Sequence, residues 1–312
     1  MLGRFGRDAG SLLGVEITPP FIRLVHAHRR QGRCQVNAWA VEPLPPAALH
    51  DGWIVDPELV GAALLKAVRR SAMPGRRVAV ALPGDLVVEK LIAMPIGLDD
   101  DALVEQLPDE ASAFIPFALE DAALDFRVMG PDLENPQCQR VVMAGCHVAM
   151  LEVLHASLEF AGLRACVVEA DHHAMRRALP AGPSGEALLL QVEGRSVIFH
   201  EAGNEFIGLR RQISLGVQHA DAQTLAAAVD SYLLSSPGRA LPDRLQLLGG
   251  GVLEAQLPGQ LQQRLGIEVR HADPFGAVAL APGLASELLT VQAPSLAVAC
   301  GLAMRVDDRC LD

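Results

Sequence analysis

His172 and His173, preceded by Glu169 and Asp171, form the densest group of metal-ligating side chains in the sequence. They stand at the start of a helical pattern, where adjacent side chains point about 100° apart, so the two imidazoles are not expected to share an ion. The group reads as a polar, solvated helix start. His26 and His28 alternate on a strand and share a face, yet no Cys or acid lies at ligand spacing from them. Asp99-Asp100-Asp101 is a charged helix N-terminus of the kind the helix dipole favours. Six cysteines, Cys34, Cys138, Cys146, Cys166, Cys300 and Cys310, contain no C-x-x-C pair, and free thiols are expected. There is no Gly-x-Ser-x-Gly elbow and no P-loop, and Gly249-Gly250-Gly251 after an apolar strand is a weak signal alone. No metal site and no catalytic constellation are expected.

The chain around these residues has 312 amino acids, half of them hydrophobic and 20% charged, enough for a large core divided over two domains. With aromatics at 4%, that core must be built from Leu, Val, Ala and Ile. A formal net charge of −11 argues against a nucleic-acid surface, which needs clustered Lys and Arg. The pairs Arg29-Arg30, Arg69-Arg70, Arg76-Arg77 and Arg210-Arg211 are too short to read as a membrane-binding polybasic run. No window reaches the roughly 18 uncharged apolar residues of a spanning helix, and the N-terminus lacks a signal-like apolar stretch. A soluble, cytoplasmic protein is expected, reaching the membrane only through a partner.

Three strands joined by short turns open the chain, at Leu12–Ile17, Phe21–Ala27 and Gln35–Val41. Asp56-Pro57 caps an amphipathic helix carrying Leu59, Val60, Ala63, Leu64, Ala67 and Val68, and Arg77–Leu82 is a further strand. From about 86 to 167 the order β-α-β-β-α-β predicts a small split βαβ module. Pro108 lies within its first helix, between Asp99 and Phe114, and should kink or split it. After the module, strands are expected at Ala187–Val192, Val197–His200, Glu205–Leu209 and Arg244–Leu248, with helices at Thr224–Leu234 and Pro294–Arg305.

Several strings resemble the PilM family of type IV pilus assembly proteins, part of the actin-like group that includes the division protein FtsA. They are Gly14-Val15-Glu16-Ile17 with Arg23-Leu24-Val25, and Val41-Glu42-Pro43-Leu44-Pro45-Pro46. The most specific runs from Glu110 to Asp121 through Phe114-Ile115-Pro116-Phe117, continued by Ala123-Leu124-Asp125-Phe126. Leu247-Leu248-Gly249-Gly250-Gly251 and Ala299-Cys300-Gly301-Leu302-Ala303-Met304-Arg305 follow in the same order. The resemblance implies an α/β, two-lobed actin-like fold with an inserted split βαβ module. Lobe 1 would occupy 1–85, the module 86–167, and lobe 2, with a shortened outer subdomain, 168–312.

The resemblance also implies a nucleotide cleft between the lobes, with ATP and magnesium as its ligand. Gly14, Glu16, Thr18 and Arg23 would belong to the first phosphate turn, and Gly249, Gly250 and Gly251 would form a nucleotide-contacting turn. Glu16 stands where the family has Asp, and Pro19-Pro20 replace small residues and delete two N–H donors. The family's Asp-x-Gly turn is replaced by Gln191-Val192-Glu193-Gly194-Arg195, whose Glu193 would repel a triphosphate. The site reads as vestigial, with no cofactor and no hydrolysis expected. The function implied is that of a cytoplasmic scaffold. It would bind the N-terminal peptide of a PilN-like membrane protein and meet other pilus platform proteins. Val87, Val88, Leu91, Ile92 and Phe117 of the module are the candidate contacts. The alternatives are an actin-like ATPase or the equivalent scaffold of a type II secretion or DNA-uptake system.

Overall fold

The computed structural model describes residues 11–30, 33–73, 75–180, 187–201, 210–215, 220–235 and 242–305. The chain opens with an antiparallel meander of β1 (Ser11–Thr18), β2 (Phe21–Arg30) and β3 (Arg33–Pro43), followed by the two-residue strands β4 (Leu49–His50) and β5 (Trp53–Ile54). Asp56 then caps α1 (Pro57–Arg70) by accepting from the N–H groups of Glu58 and Leu59. β6 (Arg77–Leu82) returns parallel to β1.

Next comes the module, in which β7 (Val88–Pro95), α2 (Asp100–Ala111), β8 (Ala122–Pro131) and β9 (Cys138–His147) make a three-stranded sheet ordered β7-β9-β8. Leu103, Leu107 and Ala111 of α2 cover one face, packing with Met94, Val141 and Met143. α2 runs through Pro108 and ends one turn later at Ala111, so the expected split is absent. Proline near a helix end sacrifices only one bond, and Asp99 capping the other end offsets part of that cost. The six-element module is corrected in a second respect. α3 (Val148–Phe160) and β10 (Arg164–Ala170) follow in the expected order but belong to lobe 1. β10 pairs parallel with β6, and Leu154 and Leu158 of α3 share a core with Val60 and Leu64 of α1.

α4 (Asp171–Ala178) leads into lobe 2, built from β11 (Ala187–Glu193), β12 (Ser196–Glu201), β13 (Arg210–Ser214), α5 (Ala222–Leu234), β14 (Arg244–Leu248), α6 (Leu257–Leu265) and β15 (Glu268–His271). The strand expected at 205–209 lies outside the described residues. The chain ends with β16 (Ala279–Leu280) on the edge beside β3, then α7 (Glu287–Gln292) and α8 (Ala297–Ala303).

The two large sheets repeat one topology, β3-β2-β1-β6-β10 and β13-β12-β11-β14-β15, each an antiparallel meander continued by two parallel strands. That duplication, with helices between and outside the sheets, is the two-lobed actin-like fold. α4 and α8 fill the space between the sheets, where Ala174, Met175, Val298 and Leu302 pack with Leu12 and Ala79 of one sheet and Leu189 and Leu248 of the other. The helices cross at Gly301, where a Cβ would lie 1.8 Å from the carbonyl oxygen of Ala174. Cys34, Cys138, Cys146 and Cys300 are free, whereas Cys166 is disulfide-bonded, correcting the reading of free thiols throughout. Disulfides pair cysteines close in space, and sequence spacing does not reveal them.

Candidate functional site

Two clefts lie where the resemblance implies ligands. The first, between the lobes, brings Glu16 of β1, Arg23 of β2 and Glu193 of β11 together. Cross-strand register sets Glu16 opposite Arg23. The Arg23 guanidinium is fully buried, donating to Glu193 Oε2 at 2.9 Å and lying 3.5 Å from Glu16 Oε1. The backbone N–H of Gly250 donates to the other Glu193 oxygen at 3.0 Å. Burial pushes the Glu16 carboxyl up to about 8 against the pull of Arg23, with Glu193 and Asp171 adding to the push. The short Arg23–Glu193 ion pair ties the lobes together. Thr18 donates to Glu16 at 3.4 Å.

The glycines have structural reasons. Gly14 lies beneath α8, where a Cβ would come within 2.1 Å of the Ala299 carbonyl oxygen. That close approach gives the glycine a helix–sheet packing role. Gly249 has φ +96°, a left-handed conformation that favours glycine. Added Cβ atoms at Gly250 and Gly251 would come within 2.5 Å of the Arg23 guanidinium and the Val192 side chain. Gln191, where the family's second turn carries Asp, takes a hydrogen bond from His200 at 2.9 Å. Burial holds that histidine down near 3, with nearby Arg210, His172 and Arg176 adding to the effect against Asp171.

A magnesium triphosphate does not fit this donor set. The Gly250 amide and Arg23 Nη2 are spent on Glu193, and neither Pro19 nor Pro20 has an N–H. Glu16 Oε2 with Arg23 Nε and Nη1 are buried without hydrogen bonds, and the adjacent Glu193 would repel phosphate.

The second cleft, about 1080 Å³, opens between the module and lobe 1. The uncovered face of the β7-β9-β8 sheet forms one wall with Val142, Ala144, Asp125 and Arg127. The other comes from Leu151 and His155 of α3, Val168 and Glu169 of β10, Arg176 and Arg177 of α4, and Arg305. Arg177 grips Glu169 through two bonds of 2.8 and 2.9 Å, and Arg305 adds a third of 2.7 Å.

Among the predicted contact residues, Val87 lines this cleft. Leu91 alternates with Val88 and Ile92 along β7, on the same side of the strand as Glu89. Val88, Ile92 and Phe117 are corrected to module core, where they pack with Leu107 and Met143, and Phe117 also stacks on His147 at 3.7 Å. Period-two alternation along β9, Val142-Ala144-Cys146 on one face and Val141-Met143-Gly145 on the other, is the signal that could have found the cleft wall.

At one end of this cleft Glu89 meets both histidines. His172 Nε2 lies 2.8 Å from one carboxylate oxygen and His173 Nε2 lies 2.5 Å from the other. The solvated helix start is thus corrected, because a β7 side chain approaches between the two rings. Burial favours neutral Glu89, but the two imidazoles outweigh it and hold the carboxyl near 2. Burial likewise opposes charge on His172, and the flanking Asp171 and Glu89 carboxylates raise it to about 9.

The sequence profile described as type IV pilus assembly protein PilM matches residues 14–189 and 215–307. Among solved structures, the chain is similar to one from a PilM–PilN type IV pilus biogenesis complex. The TM-score there is 0.78 at 24% identity, over 96% of this chain and 99% of that one. It is also similar to the ethanolamine utilization protein EutJ from Carboxydothermus hydrogenoformans. That TM-score is 0.51 at 12% identity, over 94% of this chain and 89% of that one. At such identities the likeness concerns the fold.

Proposed function

Because this chain belongs to the PilM family of type IV pilus assembly proteins, we propose that it is a cytoplasmic scaffold of the pilus assembly platform. Its module cleft takes the N-terminal peptide of a PilN-like single-pass membrane protein. The single observation that carries the reading is the contrast in access, with the module cleft open at about 1080 Å³ and the interlobe centre filled by its own ion pair. Such a volume, lined by apolar side chains between charged groups, suits a short extended segment that buries a few apolar anchors. The solved relative with PilN in its name supports the choice of partner class. In this reading the partner carries the membrane attachment; no helix among the described residues is long and apolar enough to cross a membrane. The same reading makes the chain a non-hydrolysing member of an actin-like group.

The test is a calorimetric titration of the full chain with a synthetic peptide of the first dozen or so residues of the neighbouring PilN-like protein. One-to-one binding is expected, and Ala144→Trp, which fills the cleft from β9, should weaken it at least tenfold. A peptide that does not bind, or that binds the Ala144→Trp chain equally well, overturns the assignment.

A further inference from the structure

We propose that Glu89, His172 and His173 form a binding site for one divalent transition cation of the zinc class, held across the joint between the module and α4. One ligand atom from each residue can be chosen so that all three lie within 4.8 Å of one another. Both histidines present Nε2, and these atoms contact different oxygens of one carboxylate. A zinc ion with bonds of about 2.0–2.2 Å to nitrogen and oxygen needs the ligands to part only slightly from this arrangement.

The usual objection, that neighbours on a helix diverge, does not apply. The residues occupy the second and third positions of α4, and their ring centroids are only 4.2 Å apart. Glu89 arrives from a different element and meets both.

Behind the His172 ring, Asp171 Oδ1 lies 3.7 Å from Nδ1, beyond hydrogen-bond distance, and accepts the Gly84 N–H at 3.1 Å. The nearby carboxylate favours a cation at the opposite nitrogen through charge alone. Two imidazoles and one carboxylate suit zinc, cobalt or nickel better than magnesium or calcium. Glu89 and His173 line the module cleft, so the remaining coordination positions face it and take water.

A cation there would tie β7 to α4 and set the width of the cleft mouth. This consequence rests on the peptide reading above, whereas the site itself does not. Zinc and peptide are therefore titrated separately.

The experiment uses the untagged full chain, stripped with chelator and titrated with ZnCl2 by calorimetry and with CoCl2 by visible absorption. One equivalent of zinc should bind, and cobalt should give the intense bands of a four- or five-coordinate nitrogen/oxygen site. His172→Asn with His173→Asn should weaken zinc by at least about a hundredfold, since outer-sphere changes alone typically cost 10–100-fold. His50→Asn, on the exposed end of β4 and outside the cleft, should leave it unchanged. The cobalt spectrum of the unaltered chain stands even if the double variant folds poorly. Zinc binding that is absent or equal in the double variant, or cobalt that keeps its aqueous spectrum, overturns the site whether or not the peptide binds.

Discussion

The two clefts are bounded by the same lobe and differ in what fills them. Between the lobes, a guanidinium and two carboxylates from three strands meet with side-chain exposures of 0%, 4% and 7%, and the turn amide that could hold a phosphate holds Glu193 instead. Between module and lobe 1, the β7-β9-β8 sheet is covered by α2 on one face and left open on the other. Desolvated charges demand partners, and here the chain supplies the charge partner of Arg23 itself, through Glu193. An uncovered apolar sheet face keeps its demand. The comparison teaches that in this fold a cleft's usefulness depends on which of its groups are already satisfied.

The largest expected effect breaks the closed cleft. Glu193→Ala removes the carboxylate that accepts from the fully buried Arg23 guanidinium at 2.9 Å. Removing one partner of a buried pair typically costs about 3–5 kcal/mol. For domains of this size that is a fall of roughly 10 °C in the melting midpoint. Arg127→Ala on the open cleft should stay within about 0.5 kcal/mol. Equal melting of the two variants in scanning calorimetry would remove the distinction drawn between the clefts.

Next in size is the open cleft's dependence on apolar contact. Leu151→Ala should lower peptide affinity by about tenfold, or 1.4 kcal/mol, through a shortened anchor wall. Phe117→Ala should lower the melting midpoint through the module core and leave the affinity of the folded protein within about twofold. If Phe117→Ala instead removes binding without loss of stability, the assignment of Phe117 to the core is wrong.

A smaller effect separates the clefts by pH. The folded state keeps a proton on Glu16 up to about 8, whereas the unfolded chain releases it near the ordinary carboxyl value of 4.5. Folding therefore takes up a proton in that window, and this group's contribution to stability declines as pH rises from 4.5 toward 8. Glu16→Gln fixes a neutral side chain there. Melting midpoints should show the natural chain losing a few degrees relative to Glu16→Gln between pH 5.5 and 8. Parallel curves would mean that Glu16 ionises normally.

Most of the scaffold was legible because its signals are local. Asp56-Pro57 and Asp99 announce helix starts through their own caps, and Gly162, with φ +70°, marks the end of α3. The first meander follows from short turns between apolar runs. What was missed depends on partners far away in sequence. Glu193 lies 170 positions from Arg23, and Glu89 lies 84 from His173. Local geometry gives the direction in which a histidine leaves its helix and says nothing of the carboxylate that comes to meet it. The packing demand on Gly14 is hidden for the same reason, since a strand glycine required by a crossing helix looks in sequence like one required by a ligand. β10 was placed in the module because element order does not say which sheet a strand joins.

The smallest expected effect is none at all, and it is the sharpest test of the closed cleft. A ligand that binds only the folded state stabilises it by RT ln(1 + [L]/Kd), about 2.7 kcal/mol at a concentration of 100 Kd. Mg-ATP at millimolar concentration with a low-micromolar Kd would thus raise the melting midpoint by several degrees. With the Gly250 amide and Arg23 committed to Glu193, the expected change is within about 1 °C, and no phosphate release should exceed background. Gln191→Asp should not alter this, because restoring one acid neither frees Arg23 nor gives Pro19 and Pro20 an N–H. A shift of several degrees with the natural chain would show that Glu193 yields to a phosphate and that the interlobe pair is a displaceable latch. The contrast between the two clefts would then rest on affinity instead of on occupancy.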